Sequence, residues 1–152
     1  QQNLLLTTKE GYTIHFDESE VSPTGRNTKG RKGIKLEEDD EVISINKTTD
    51  YDLVLTLTQE GRGKASPIEQ YETQHRNGKG LKTMSNFSYQ LLTSITVNKE
   101  EEIIVLTTKD NIIRKEINQI TQTDRLGGMY SQFELEENET ITKIIKTITP
   151  KK

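Results

Sequence analysis

Apolar and β-branched residues occur along this chain in short runs, not at helical spacing. The runs Leu4 to Thr8, Leu53 to Thr58 and Ile103 to Thr108 lead into the related turns Thr8-Lys9-Glu10-Gly11, Thr58-Gln59-Glu60-Gly61 and Thr108-Lys109-Asp110-Asn111. Such side chains suit a pleated surface, so each run is predicted to be a strand. Each turn ends in Gly, Gly or Asn, the residues that tolerate the left-handed backbone closing a three-residue hairpin. Those end residues lie fifty apart, and a second set of landmarks, Gly33, Gly80 and Gly128, lies 47 and 48 apart. The chain therefore reads as three repeated units of similar length, at about 1-46, 47-98 and 99-149.

Within a unit the pattern predicts four strands. Second strands return through Tyr12 to Phe16, Gly63 to Ala65 and Ile112 to Arg114. A polar crossing follows. In the middle unit, Ser66-Pro67-Ile68-Glu69 has the form of a capping box with Ser66 as N-cap, which predicts one helical turn to Tyr71, against the alternative of an irregular loop. Third strands are expected at Gly33 to Leu36 and Gly80 to Met84. Fourth strands are expected at Glu41 to Ile45, Leu91 to Val97 and Thr140 to Lys146. Asn46 to Tyr51 and Asn98 to Glu101 read as polar links between units, and Pro150-Lys151-Lys152 as a frayed end. Four strands in about fifty residues is the size of a propeller blade, so the fold class is all-β, a propeller-like repeat of about three four-stranded blades.

Composition narrows this further. Ile, Leu, Val and Phe make up 37 of the 152 residues and the net charge is −3. That apolar share exceeds the ~20% below which charged chains stay unfolded, yet it suits thin sheets with polar faces. There is no cysteine, which excludes disulfides and thiolate metal sites. No apolar run approaches the ~20 residues that span a bilayer, so no membrane partner is expected. Gln1-Gln2-Asn3 carries neither an initiator Met nor a signal-peptide pattern, and the expectation is a piece of a longer protein.

Charge is segregated along the chain. From Gly25 to Leu36 every charged residue is basic: Arg26, Lys29, Arg31, Lys32 and Lys35. Residues 37 to 41 are all acidic, and Glu134, Glu136, Glu137 and Glu139 repeat that acidic part in the third unit. A second glycine-basic stretch, Gln74-His75-Arg76-Asn77-Gly78-Lys79-Gly80-Leu81-Lys82, recurs one unit later, and Arg125-Leu126-Gly127-Gly128 is a reduced third copy. Glycine brings backbone close to a ligand, and Lys, Arg and exposed N–H groups meet phosphates. If these loops share one rim, that rim is positive while the acids lie elsewhere, and DNA is held on one face. The alternative is a set of solvated turn charges; recurrence in successive units favours binding. Arg62 and Lys64, flanking a hairpin, are further basic candidates.

No P-loop, nucleophile elbow or dinucleotide fingerprint occurs. The two histidines, His15 and His75, show no ligand spacing, so no metal site is expected. The carboxylates sit in runs within turns and read as a solvated face, not as a general acid/base pair. The five tyrosines show no catalytic context. With no Trp and three Phe, stacking on single strands is not expected.

The stretch Ser22 to Lys35 followed by Asp40-Glu41-Val42 resembles a blade of the C-terminal domain of bacterial DNA gyrase A. Leu55 to Lys64 with Tyr71 to Thr83 resembles the next blade, and Ile104 to Arg114 the one after. Gln74 to Gly80 is similar to the family's signature heptad Gln-Arg-Arg-Gly-Gly-Lys-Gly at Gln74, Arg76, Gly78, Lys79 and Gly80, and departs at His75 and Asn77. Its place in the middle unit makes it a relative of that heptad, whose own position is expected upstream of this chain. The resemblance implies a β-pinwheel whose basic rim bends and wraps double-stranded DNA, with Arg26, Lys29, Arg31, Lys32, Lys35, Arg62, Lys64, Gln74, His75, Arg76, Lys79 and Lys82 as DNA-binding residues and no catalytic or metal-binding residue. It further implies ATP-dependent negative supercoiling by the parent enzyme, with ATP and Mg used by its other domains or polypeptides, gyrase B and a second copy of gyrase A as partners, and a bacterial, cytoplasmic, nucleoid-associated location. The alternatives are the related C-terminal domain of topoisomerase IV and a propeller-like scaffold that binds acidic proteins. Wrapping implies a preference for deformable DNA and not for a fixed site.

Overall fold

The computed structural model describes residues 2–21, 30–85 and 89–147. Arg26, Lys29 and the expected frayed end Pro150-Lys151-Lys152 lie outside them. The described residues form eleven strands and three short 3₁₀ turns in three antiparallel sheets. None of their helices is long and apolar enough to cross a membrane.

The first sheet holds β1 (Asn3–Thr8), β2 (Tyr12–Asp17) and β3 (Val42–Lys47). The second holds β4 (Leu53–Thr58), β5 (Arg62–Pro67) and, after the two-residue β6 (Leu81–Lys82), β7 (Leu91–Val97). The third holds β8 (Glu102–Thr107), β9 (Ile112–Glu116) and, after β10 (Tyr130–Ser131), β11 (Ile141–Thr147). The sheet orders are β3-β1-β2-β6, β10-β5-β4-β7 and β11-β8-β9.

One departure from the expected layout follows. The outer strand of a blade is not drawn from its own unit. β6 belongs to the middle unit but pairs with β2, Tyr12 opposite Lys82 and Thr13 opposite Leu81. β10 belongs to the third unit but pairs with β5, Tyr130 opposite Gly63 and Ser131 opposite Arg62. The third strand expected at Gly33 to Leu36 is absent, and Ile34 makes a single parallel bridge to Gly78. Gly80 explains why the exchange needs glycine: its φ is +81°, and a Cβ there would stand 2.2 Å from Thr13 O.

The hairpins repeat closely. Thr8, Thr58 and Thr107 each accept at the carbonyl from the residue three on (Gly11, 3.1 Å; Gly61, 3.1 Å; Asp110, 3.0 Å). Each Oγ1 accepts from the residue four on (Tyr12, 3.1 Å; Arg62, 3.1 Å; Asn111, 3.2 Å). The left-handed residue of the third hairpin is Asp110, at φ +61°, and not Asn111. The turn is organised by Thr107 instead of Thr108, which moves its register by one, and aspartate tolerates that backbone.

The expected helical turn is a 3₁₀ turn over Ile68–Gln70. Ser66 does not cap it. It is buried within β5, and Pro67 precedes the turn with no side-chain bond.

β4 is buried along its whole length, which its run of Leu, Val and Thr permits without alternation. Leu53, Leu55, Leu57, Val97, Ile103 and Val105 share one core across the second and third blades. Leu6, Ile14, Phe16 and Ile34 form a smaller core in the first, and Leu5, Val54 and Tyr71 join first to second. At one edge of the sheets the blades meet through β3, β7 and β11: Asn46 Nδ2 donates to Ser94 O (2.7 Å), Thr96 Oγ1 to Lys47 O (2.7 Å) and Lys146 Nζ to Thr96 O (3.1 Å). The glycine-basic loops lie at the opposite edge.

Candidate nucleic-acid interface

The second and third loops are each first anchored to the second strand of the preceding unit. Gln74 N–H donates to His15 O (2.6 Å), and Thr123 N–H to Ala65 O (3.0 Å). The chain then turns through an arginine. Arg76 donates its backbone N–H to Glu20 Oε1 (2.9 Å), Nε to Glu20 O (3.0 Å) and Nη1 to Lys32 O (2.9 Å). One unit later Arg125 donates its N–H to Gln70 Oε1 (2.6 Å) and Nη1 to Lys82 O. The two arginines occupy equivalent positions and do the same thing: each clasps the loop of the unit before it.

As a result the loops are joined in series. The first and second are bonded directly, by Lys35 N–H to Gly78 O (2.7 Å) and Asn77 N–H to Gly33 O. Arg31, Lys32, Lys35, Lys79 and Lys82 are all exposed on these two loops. Lys32, Lys35 and Asn77 line one depression, and Lys35 and Lys79 line the next. Asn77, at φ +66°, gives the sharp bend that brings Gly78 against the first loop.

The other candidates are placed differently. Gln74 is half-buried. His75 is almost fully exposed, with Nδ1 3.6 Å from Glu20 Oε1. Arg62 is exposed at the start of β5, its Nη1 3.4 Å from Met129 O and its guanidinium 5.6 Å from the Tyr89 ring centre. Lys64 is fully buried. Its ammonium donates to Asp124 O (3.2 Å), Gly127 O (3.2 Å) and Arg125 O, so it holds the third loop from inside and does not reach the surface. Burial lowers its pKa to about 8, the neighbouring Arg125 adds to the shift and Asp124 opposes it.

The acidic runs are not kept apart from the basic loops. Glu37 and Asp40 line the same depression as Lys35 and Lys79, although their runs are separate in sequence. Part of each run is structural. Asp40 Oδ1 accepts from Glu10 N–H (3.0 Å) and Glu41 N–H (2.8 Å). Glu139 accepts from the Thr107 hydroxyl, Asn111 Nδ2 (2.7 Å) and Glu136 N–H (2.8 Å). The Thr107 hydroxyl, then the Glu136 N–H and Asn111, hold the Glu139 carboxyl below the usual carboxylate range.

Sequence reading missed Glu20 and Gln70, the partners of the two arginines. Their signal was available: both close the 3₁₀ turn that follows the second strand, at Glu18–Glu20 and Ile68–Gln70.

Residues 2–49 and 52–106 match the family described as DNA gyrase C-terminal domain, beta-propeller. DNA gyrase A of Staphylococcus aureus (strain MRSA252) is 31% identical over 150 residues, which is 96% of this chain and 17% of that protein. Among solved structures, the C-terminal domain of DNA topoisomerase IV superposes with a TM-score of 0.89 at 26% identity, over 97% of this chain and 47% of that one. The DNA gyrase A C-terminal domain gives 0.88 at 19% identity, over 97% and 51%, a likeness of fold. The chain thus spans about a sixth of the curated relative and about half of each of these solved domains.

Proposed function

The chain belongs to the DNA gyrase C-terminal domain family, and on that premise we propose that it binds double-stranded DNA along its joined glycine-basic loops and bends it. One observation carries the reading: two successive loops, hydrogen-bonded side by side, present Arg31, Lys32, Lys35, Lys79 and Lys82 to solvent at one edge. Cations in a row on adjoining rigid loops neutralise successive phosphates and release counterions, without reading base edges. Because the loops are fixed to each other through Arg76, their spacing sets the path of the duplex. Bending then favours deformable sequence.

In a longer protein of the gyrase A kind, this binding presents a neighbouring duplex segment to a cleavage core. ATP-driven strand passage with one handedness then gives negative supercoils. ATP and Mg act in other domains or polypeptides of the enzyme, gyrase B and a second copy of gyrase A are the partners, and the location is cytoplasmic with the nucleoid. The likeness to the topoisomerase IV domain supports a second reading, the equivalent part of topoisomerase IV, in which DNA binding is retained and the supercoiling outcome differs. Energy transfer between dyes at the two ends of a short duplex tests the proposal: addition of the chain brings the ends together if it bends DNA, and bound DNA with unchanged end-to-end transfer contradicts it.

A further inference from the structure

One interior position differs in chemistry among the three units. The hairpin bonds set Tyr12, Arg62 and Asn111 at equivalent places, so Ile14, Lys64 and Ile113, two residues further on, are counterparts. Ile14 packs in the core of the first blade, and Ile113 against the core shared by the second and third. Two units thus use an apolar side chain here, and the middle one carries a fully buried lysine. A blade of this fold does not need an ammonium at this place, and burying one is costly unless its donors are met. All three are met. Lys64 Nζ donates to Asp124 O (3.2 Å), Gly127 O (3.2 Å) and Arg125 O, the carbonyls of one turn closed by Gly127 N–H to Asp124 O (2.8 Å). An ammonium has three donors and no acceptor, which matches three carbonyls. A neutral amine has one proton fewer and a lone pair, so one carbonyl of the turn loses its partner away from water. The shape of the turn therefore depends on the proton.

The same turn reaches the basic edge. Arg125 donates its N–H to Gln70 Oε1 (2.6 Å), Gln70 Nε2 donates to Asp124 Oδ1 (3.0 Å), and Arg125 Nη1 donates to Lys82 O. Lys82 is exposed in β6. On the reading that these loops bind duplex DNA, we propose that Lys64 is a positioning residue for that edge: its ammonium pins the third loop and, through Arg125, sets where Lys82 meets a phosphate. The groups around it leave this dependence on a single proton. Arg125 and Asp124 act on the ammonium in opposite directions. Arg62, two residues earlier on β5, is engaged with Met129 O (3.4 Å) and the Tyr89 ring. Thr56, opposite Lys64 on β4, is uncharged, and burial raises the pKa of Tyr71, which stays a neutral phenol. Burial lowers the pKa of Lys64 to about 8, so the pin opens well below the ordinary lysine value of 10.5.

The test uses the full 152-residue chain with a short labelled duplex, titrated at several salt concentrations at pH 7 and at pH 9. Losing the Lys82 contact removes about 0.9 from the slope of log K against log salt. The unmodified chain is therefore expected to give a slope shallower by about one at pH 9 than at pH 7. Lys64→Ile installs the side chain of the other two units. It is expected to fold and to show the shallower slope at both pH values. A merely structural role for Lys64 would weaken the fold without this difference in pH response. Amide NMR shifts follow the pin without DNA: those of Arg125 and Lys82 are expected to move together with a midpoint of about 8, and to stay still over that range in Lys64→Ile. Should the variant fail to fold, the slopes and shifts of the unmodified chain still decide. Equal slopes at the two pH values in the unmodified chain, or the same pH response in Lys64→Ile, overturn the proposal. Failure of both proteins to bind the duplex at pH 7 overturns the DNA-binding reading instead, and the amide shifts then judge the pin: Arg125 and Lys82 amides that do not move reject it.

Discussion

Arg76 Nη1 lies 2.9 Å from Lys32 O, across the boundary between the first and second units. With Nε on Glu20 O, the guanidinium fork spans two segments of the preceding unit. Arg76→Ala removes both bonds and leaves two carbonyls to water. The group is half-buried, so the expected loss is about 1–3 kcal/mol of stability in urea unfolding. Arg76→Lys restores little of it, because an ammonium does not match two carbonyls as a planar fork does. Full recovery by lysine would show that the geometry of the fork is irrelevant.

Lys64 gives a pH signature of opposite sign to that of most ion-paired residues. Its folded pKa, about 8, is below the ordinary 10.5. Between those values the unfolded chain binds more protons, so stability rises with pH from about 8. The full effect is up to about 3 kcal/mol. Tyr71 acts the other way above pH 10, since burial raises its pKa and the unfolded phenol ionises first. Urea unfolding at pH 7.5 and 9.5 should therefore show a gain for the unmodified chain that Lys64→Met abolishes. Equal pH responses in the two proteins would remove the buried ammonium from the account.

Glu139 governs the acid side of the third hairpin. Its folded pKa is depressed, so its contribution is present above the unfolded value and is lost as pH falls through the folded one. Glu139→Gln is expected to flatten acid unfolding below about pH 4.5, the ordinary value for this group, and to lower stability at pH 7. Thermal melts across that range check it, and an unaltered acid limb would contradict it.

Much of the blade framework was legible in the sequence. β4 and β7 occupy the residues that the apolar runs mark, Leu53–Thr58 and Leu91–Val97, because a strand's side-chain pattern is local. The same holds for Gly11 and Gly61, whose positive φ the turn type demands. What stayed hidden depends on distant partners. Leu81 and Lys82 look alike whether they pair with β2 or with their own unit. Lys64 and Lys79 are both lysines beside glycine, yet one is buried under a loop of the next unit and the other is exposed. Glu37 and Asp40 stand apart from Lys79 in sequence and share its depression only after the loops dock.

The most direct test of the account is the salt dependence of duplex binding, measured with the charge-reversal variants Lys32→Glu and Lys79→Glu. Each phosphate contact contributes about −0.9 to the slope of log K against log salt, so up to five exposed loop cations give a slope of roughly −4 to −5. Each reversal is expected to weaken binding and to reduce that slope by about one, with unfolding unchanged because both side chains are exposed. A slope near zero, or reversals that leave affinity as it was, would contradict DNA binding along these loops.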